Sequence, residues 1–156
     1  MEKTLIILKP DALQRRLLGK IISRFEEKGF QIIGLKMIQI TETMARKHYA
    51  EHESKDFFEP LVKYTTSAPV IVMVLKGKNI VEIARKMMGA TFGFRAEPGT
   101  IRGDYAVSNR FNLIHGSDSS AAAEREIAAF FHKGELFEYQ PADFSWIYDL
   151  STGNII

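Results

Sequence analysis

The stretch from Asn112 to Ser119 holds the residues best suited to chemistry. His115 ends a short apolar run and is followed by Gly116, then by hydroxyl and carboxylate side chains. Gly116 allows another group to approach the backbone closely. Ser119 is a typical helix N-cap, and a helix amino end favours an anion, although Asp118 opposes one. The pattern indicates a histidine beside an anion site.

Glu126 is the second chemical signal. It flanks the apolar stripe of the helix that follows, where a carboxylate is costly unless it has a partner. If this helix folds back along the preceding strand, Glu126 can bind one imidazole nitrogen of His115 and leave the other nitrogen as a nucleophile. The spacing also fits a core histidine satisfied by a neighbouring acid, which is the commoner arrangement, so both interpretations stay open here.

Basic and hydroxyl side chains elsewhere supply the parts of an anion site. We expect Lys9 at a strand end, Arg85 on a helix and Arg102 in a long loop. Together they can neutralise a triphosphate, whereas each alone is typical of a solvated or paired surface charge. Tyr49 and Thr91 can add hydroxyl donors.

The usual nucleotide-binding motifs are missing, since neither a P-loop nor a Rossmann glycine fingerprint occurs. A phosphate site in this chain must therefore use side chains. Phe57 can stack on a base, but its spacing also fits helix packing against Leu61.

The segment His48-Tyr49-Ala50-Glu51-His52 matches the H-x-x-E-H pattern of inverted zinc proteases. On one helix its two histidines would share a face and could share a metal ion. Two ordinary histidines on a solvated face explain the pattern better, because five-residue patterns recur by chance and no third ligand is indicated.

Composition sets the remaining limits. The 156 residues fit one domain, and a net charge of +2 without charged blocks points to no nucleic-acid tail. The lack of cysteine excludes disulfides and thiolate chemistry. The amino-terminal apolar run is too short for a secretory signal, so we expect a cytoplasmic protein.

Hydrophobic periodicity predicts the elements that must position these residues. The order of strands and helices predicts an α+β fold, a ferredoxin-like split βαβ arrangement in which helices pack around a four-stranded antiparallel sheet. The predicted strands are 4–8, 31–41, 70–75 and 112–115; the predicted helices are near 17–25, 43–52, 55–65, 80–88 and 119–131; residues 90–111 are predicted to be a long loop.

The chain resembles the nucleoside diphosphate kinase family over about residues 3–149. The segment Asn112-x-x-His115-Gly116-Ser117-Asp118-Ser119 is similar to that family's active-site signature. Further segments lie in the same register: Leu8-Lys9-Pro10-Asp11, Phe25-Glu26-x-Lys28-Gly29-Phe30, His48-Tyr49, Pro98-Gly99-Thr100-Ile101-Arg102-Gly103-Asp104 and Trp146-Ile147-Tyr148.

The resemblance implies a ping-pong transfer in which His115 takes the γ-phosphate of an Mg²⁺-bound nucleoside triphosphate and passes it to a nucleoside diphosphate. It implies that Glu126 orients His115 and that Ser117 supports this pair. It also implies that the phosphates, the ribose, the base or the histidine are contacted by Lys9, Tyr49, Phe57, Arg85, Thr91, Arg102 and Asn112. By the same likeness Mg²⁺ is carried by the nucleotide, and His48 and His52 have no part in the site.

The resemblance further implies a catalytic domain of residues 1–149 and a homo-oligomer, for which we favour a hexamer over a tetramer. Three features depart from the family pattern. Residues 92–95 replace a frequent Asn-Pro near subunit contacts, Phe111 replaces a frequent Arg, and the tail of residues 150–156 extends beyond the usual end. Leu150, Ile155 and Ile156 indicate that this tail packs at the surface or at a subunit contact. Two other functions remain as alternatives, a non-catalytic nucleotide-binding relative and a small zinc hydrolase built on His48 and His52.

Overall fold

The computed structural model describes residues 1–152 and residue 155. Four strands and eight α-helices alternate along this part of the chain, with three short 3₁₀ turns between them. The strands are β1 (Glu2–Leu8), β2 (Gln31–Ile38), β3 (Val70–Gly77) and β4 (Ile114–Gly116). The helices are α1 (Pro10–Gln14), α2 (Leu18–Glu27), α3 (Glu42–His48), α4 (Phe58–Thr65), α5 (Ile80–Met88), α6 (Ile101–Tyr105), α7 (Ser120–Phe130) and α8 (Phe144–Ile147).

The four strands form one antiparallel sheet in the order β2-β3-β1-β4. This is the order of a ferredoxin-like split βαβ fold, so the predicted fold class is confirmed. Strand β3 shows why its sequence is continuously apolar. Its residues 71, 73 and 75 join the core that contains α2 and α5, and residues 70, 72 and 74 join the core that contains α4 and α7. Both faces of the central strands are therefore buried.

Several predicted boundaries are wrong. Strand β2 ends at Ile38, and β4 comprises only residues 114–116. The segment 90–111 is not simply a loop, because it contains the short helix α6, whose N-cap Thr100 accepts a hydrogen bond from the backbone of Gly103. A five-residue helix is too short to show the apolar period on which the prediction depended.

The packing of the tail, residues 150–156, stays a prediction. Leu150 is 43% exposed, and Ile155 is partly buried. Ile156, which the tail prediction also used, lies outside the described residues. Within residues 1–152 and 155, no helix is both long and apolar enough to cross a membrane.

Candidate active site

Strand alternation decides which way His115 points. Its neighbour Ile114 on β4 belongs to the core beneath α2 and α5. Because successive side chains of a strand point to opposite faces, His115 faces the side of the sheet that carries α3 and α7. Pairing with Ile7 of β1 holds this register.

Glu126 of α7 meets the imidazole of His115, as the spacing predicted. Nε2 of His115 lies 3.2 Å from both carboxylate oxygens of Glu126. The Ser117 hydroxyl donates a hydrogen bond of 2.6 Å to Oε2 of the same carboxylate and accepts one of 3.1 Å from the backbone of Leu5. Burial opposes ionisation of Glu126, but the hydrogen bonds from His115 and Ser117 outweigh it and lower the pKa. An ionised carboxylate accepts only, so Nε2 of His115 carries a proton.

Lys9 and Asn112 form a buried polar pair beside His115. Nζ of Lys9 donates a hydrogen bond of 2.7 Å to Oδ1 of Asn112, and Nδ2 of Asn112 donates one of 2.9 Å to the Thr91 carbonyl. Burial, with a smaller contribution from Arg102, lowers the pKa of Lys9 to about 8. The environment of Lys9 thus disfavours a positive charge until an anion arrives.

The two arginines differ in mobility. The buried guanidinium of Arg102 donates to the carbonyls of Asn112, Gly89 and Ile114, at 3.2, 2.8 and 2.7 Å. These bonds fix its position and leave two of its five N–H groups free. Arg85 is exposed and makes one long contact of 3.5 Å with the Gly116 carbonyl. One cation is therefore held rigidly and the other is free to follow a ligand.

A single cavity of about 1110 Å³ unites these residues. Of the ten predicted site residues, the nine that line it are Lys9, Tyr49, Phe57, Arg85, Thr91, Arg102, Asn112, His115 and Glu126. The tenth, Ser117, is completely buried and reaches the cavity only through Glu126. The cavity therefore brings nine of the ten predicted residues together, and it is also lined by residues that the sequence did not single out.

Tyr49 and Phe57 lie on different parts of this wall. Burial raises the pKa of Tyr49 to about 12, which keeps its hydroxyl protonated. The Phe57 ring, at the start of α4, is 49% exposed. An aromatic face so accessible is available for stacking, and this favours the base-stacking interpretation over helix packing against Leu61.

The expectation that His48 has no part in the site is wrong. Its ring packs edge to face on that of His115, with centroids 4.8 Å apart, and on Phe130 at 5.4 Å. Helix α3 ends at His48, and a 3₁₀ turn over residues 50–52 follows. His48 and His52 therefore do not share one face of an α-helix, as the zinc protease pattern requires. The pattern pairs His48 with His52, whereas in the structure the ring of His48 packs on that of His115.

Asp11 is a supporting residue that the sequence did not single out. It is buried, and its carboxylate accepts hydrogen bonds from the Tyr64 hydroxyl and, at 3.1 Å, from the backbone of Leu113. Leu113 has a φ of +69°, a strained conformation for a branched residue. Asp11 therefore holds the segment that leads into β4. Its only signal in the sequence is the Lys-Pro-Asp break after β1.

The donor set argues against a protein cage for Mg²⁺. Three carboxylates line the cavity, Glu51, Asp118 and Glu126, and the last is already bound by His115 and Ser117. Mg²⁺ prefers six oxygen ligands and usually keeps several waters. The cavity therefore suits an ion that arrives with phosphate oxygens, as in nucleotide complexes.

The fold and the site together define a class. The site contains an imidazole that a carboxylate orients, and Lys and Arg side chains line the cavity around it. This arrangement is typical of an enzyme that transfers an anionic group. Comparison with known proteins narrows this class. A sequence model described as nucleoside diphosphate kinase matches residues 2–136. The chain belongs to the nucleoside diphosphate kinase family.

Individual relatives agree with this assignment. A nucleoside diphosphate kinase of Pelotomaculum thermopropionicum is 56% identical over 149 residues, which cover 96% of this chain and all of the relative. The solved structure of a halophilic nucleoside diphosphate kinase from Halobacterium salinarum, in complex with CDP, has a TM-score of 0.93 at 47% identity, covering 95% of this chain and 99% of that one. The apo enzyme of Encephalitozoon cuniculi has a TM-score of 0.91 at 42% identity, covering 95% and 100%.

Proposed function

We propose that the chain transfers the γ-phosphoryl group of a nucleoside triphosphate to a nucleoside diphosphate through phosphorylated His115, and so maintains the nucleoside triphosphate pool. The observation that carries this proposal is the orientation of the imidazole. Glu126 binds Nε2, while no described residue forms a hydrogen bond with Nδ1. With the proton fixed on Nε2, the lone pair of Nδ1 is free to attack phosphorus.

The first half-reaction forms the bond between Nδ1 and the γ-phosphorus and breaks the bond to the bridging oxygen, which leaves on the nucleoside diphosphate. The imidazole gains positive charge as it attacks, and the ionised carboxylate of Glu126 stabilises that charge through Nε2. In the second half-reaction a β-phosphate oxygen of another diphosphate takes the phosphoryl group and restores neutral His115. Two similar steps thus replace one transfer between two bulky anions.

The basic residues supply what a loose phosphoryl-transfer transition state needs, alignment and positive charge on the equatorial oxygens. Arg102, fixed by three carbonyls, provides a stationary charge, and exposed Arg85 can close on the phosphates. Phosphates bound nearby oppose the lowering of the pKa of Lys9 and so keep its charge to a higher pH. Asn112 positions Lys9 through their 2.7 Å hydrogen bond.

Substrate contacts complete the proposal. Tyr49 and Thr91 offer hydroxyls toward phosphate and ribose, and Phe57 offers its exposed ring to the base. Stacking on one ring requires no base-edge hydrogen bond, so we propose broad tolerance of the base. Mg²⁺ held by the nucleotide phosphates neutralises part of their charge.

The assembly and domain limits are part of the same proposal. Strand β2 is an edge of the sheet and presents exposed Leu35 and Met37, which supports association of subunits. We propose a homo-oligomer, preferably a hexamer, with a catalytic domain of residues 1–149 and a tail of residues 150–156. Light scattering of the full chain and of a chain ending at residue 149 tests both statements. We also propose a cytoplasmic location, where nucleoside triphosphates are consumed.

The deciding experiment mixes pure protein with γ-labelled ATP and Mg²⁺ without an acceptor. We expect label that survives alkali, is lost in acid, is absent from His115→Ala and moves onto added GDP. A matched control, His52→Ala, removes another histidine of the cavity wall and retains the label. Absence of label from the unmodified chain would refute the proposal and leave a non-catalytic nucleotide-binding relative.

A further inference from the structure

The imidazoles of His48 and His115 and the carboxylate of Glu126 form a cluster with the composition of a transition-metal site. Each of the three residues offers one ligand atom, and these atoms all lie within 4.8 Å of one another. We propose that this cluster binds Zn²⁺, and that the bound ion blocks phosphorylation of His115.

His115 and Glu126 have the spacing that one tetrahedral ion requires of two of its ligands. Nε2 of His115 lies 3.2 Å from each oxygen of Glu126. Two ligands at about 2.0–2.1 Å from a tetrahedral zinc are about 3.3 Å apart. The pair already has the required spacing, and the third ligand, up to 4.8 Å away, has to close by about 1.5 Å.

His48 supplies an independent reason. Its Nε2 is buried and has no hydrogen-bond partner among the described residues. A buried polar atom without a partner is uncommon, and a ligand would satisfy it. The edge-to-face packing on His115 and Phe130 holds the ring in place, so little side-chain freedom remains to be lost on binding.

The ion would be reached from the central cavity, which all three residues line and which leaves room for water as the fourth ligand. Lys9 and Arg102 line the same cavity and oppose a cation, whereas Glu126 attracts one. Two imidazoles and a carboxylate favour Zn²⁺ over Mg²⁺, because Mg²⁺ prefers an all-oxygen octahedron. The site is therefore distinct in chemistry from the metal carried by the nucleotide.

Inhibition follows from the position of one proton. A zinc ion bound to Nε2 of His115 displaces the proton from that nitrogen to Nδ1. Protonated Nδ1 has no lone pair for the γ-phosphorus, and a zinc ion bound to Nδ1 itself would block it directly. This consequence rests on the proposed role of His115, whereas metal binding does not.

Equilibrium dialysis of the full chain against buffered Zn²⁺, after EDTA treatment and without nucleotide, tests the site. We expect one zinc per chain, and an affinity at least about tenfold weaker in His48→Phe, which keeps the ring packing but removes both nitrogens. The matched control His52→Gln removes the alternative partner of His48 and leaves the affinity unchanged. Undiminished binding by His48→Phe, or lost binding by His52→Gln, would overturn the assignment.

Two further measurements keep the proposal testable if His48→Phe misfolds. Glu126→Gln should also lose at least about tenfold in zinc affinity, and Co²⁺ in place of Zn²⁺ should show the intense visible absorption of a tetrahedral ion. Octahedral Co²⁺, or undiminished binding by Glu126→Gln, would count against the cluster.

Labelling from γ-labelled ATP and Mg²⁺ at fixed free Zn²⁺ tests inhibition. The rate should fall as the dialysed site fills, and occupied sites with an unchanged rate would refute the inhibitory part. If no label forms even without zinc, the proposed function fails, and dialysis still decides the metal site.

Discussion

Replacing Ser117 by alanine removes one hydroxyl that serves two buried groups. The hydroxyl donates a hydrogen bond of 2.6 Å to Glu126 and accepts one of 3.1 Å from the backbone N–H of Leu5. Ser117 is completely buried. Loss of a hydrogen bond to a charged group costs about 1.5–3 kcal/mol, and a buried donor left unpaired costs about 1–3 kcal/mol. Since the two losses share one atom and are not additive, we expect the free energy of unfolding to fall by about 3 kcal/mol.

The same change acts on chemistry. Without Ser117, Glu126 loses one of the hydrogen bonds that lower its pKa and hold it against Nε2 of His115. We expect the rate of His115 phosphorylation to fall about 10-fold to 100-fold, the range known for groups that orient a metal-binding side chain through a hydrogen bond. Quenched-flow labelling with γ-labelled ATP measures the rate directly.

Thermal unfolding at fixed protein concentration measures the stability term. A loss of about 3 kcal/mol corresponds to a fall in Tm of about 6–12 °C for a domain of this size. The control is Ser23→Ala, because the Ser23 hydroxyl bonds only to helix carbonyls in an exposed position. A Tm within about 2 °C of the unmodified protein, together with an unchanged labelling rate, would refute the role assigned to Ser117.

Three other substitutions or conditions test separate parts of the site. The pKa of Lys9 is lowered to about 8, so the free enzyme loses this positive charge as the pH rises through that value. We therefore expect kcat/KM to fall above about pH 8, and this fall to be absent from Lys9→Arg. A fall at alkaline pH that persists in the variant would disprove the assignment. Phe57→Ala should weaken nucleotide binding by about 1–3 kcal/mol for purines and pyrimidines alike, as measured by calorimetry, while Phe57→Tyr keeps the affinity; a selective loss for one base would contradict simple stacking. Tyr64→Phe removes the hydroxyl that donates a hydrogen bond to Asp11, and we expect the free energy of unfolding, measured by urea titration, to fall by about 1.5–3 kcal/mol. An unchanged urea midpoint would show that Asp11 holds the backbone of Leu113 without help from Tyr64.

Long apolar runs were the part of the fold that pattern reasoning predicted well. Residues 4–8 and 70–75 are buried on both faces of the sheet, and Thr4 is the one polar residue in these two runs. Helix α6 was missed, because it has five residues and depends on the Thr100 cap. Strand β4 was predicted at 112–115, but its bounds were wrong because they are set by the pairing of three residues with β1.

The site divides in the same way. Glu126 was found because a carboxylate beside an apolar stripe requires a partner, and that partner is His115. His48 and Asp11 were missed because their roles depend on where α3 ends and on a backbone amide far away in sequence. No residue pattern in the sequence indicates the end of α3 or the contact of Asp11 with the distant amide. Both are visible only in the three-dimensional structure.

The contacts that set the nucleophile join the amino-terminal segment to residues 112–117. Lys9 bonds to Asn112, Asp11 to Leu113 and Leu5 to Ser117, with separations of 103, 102 and 112 residues. Contacts this distant in sequence form late, because the chain loses the entropy of closing a long loop before the contacts stabilise it. During synthesis the amino-terminal strand, which also pairs with β3, therefore waits for β4 until most of the chain has left the ribosome. A nascent chain that still lacks α7 has no Glu126 to orient the imidazole, so the protein acquires its reactivity only late in its folding.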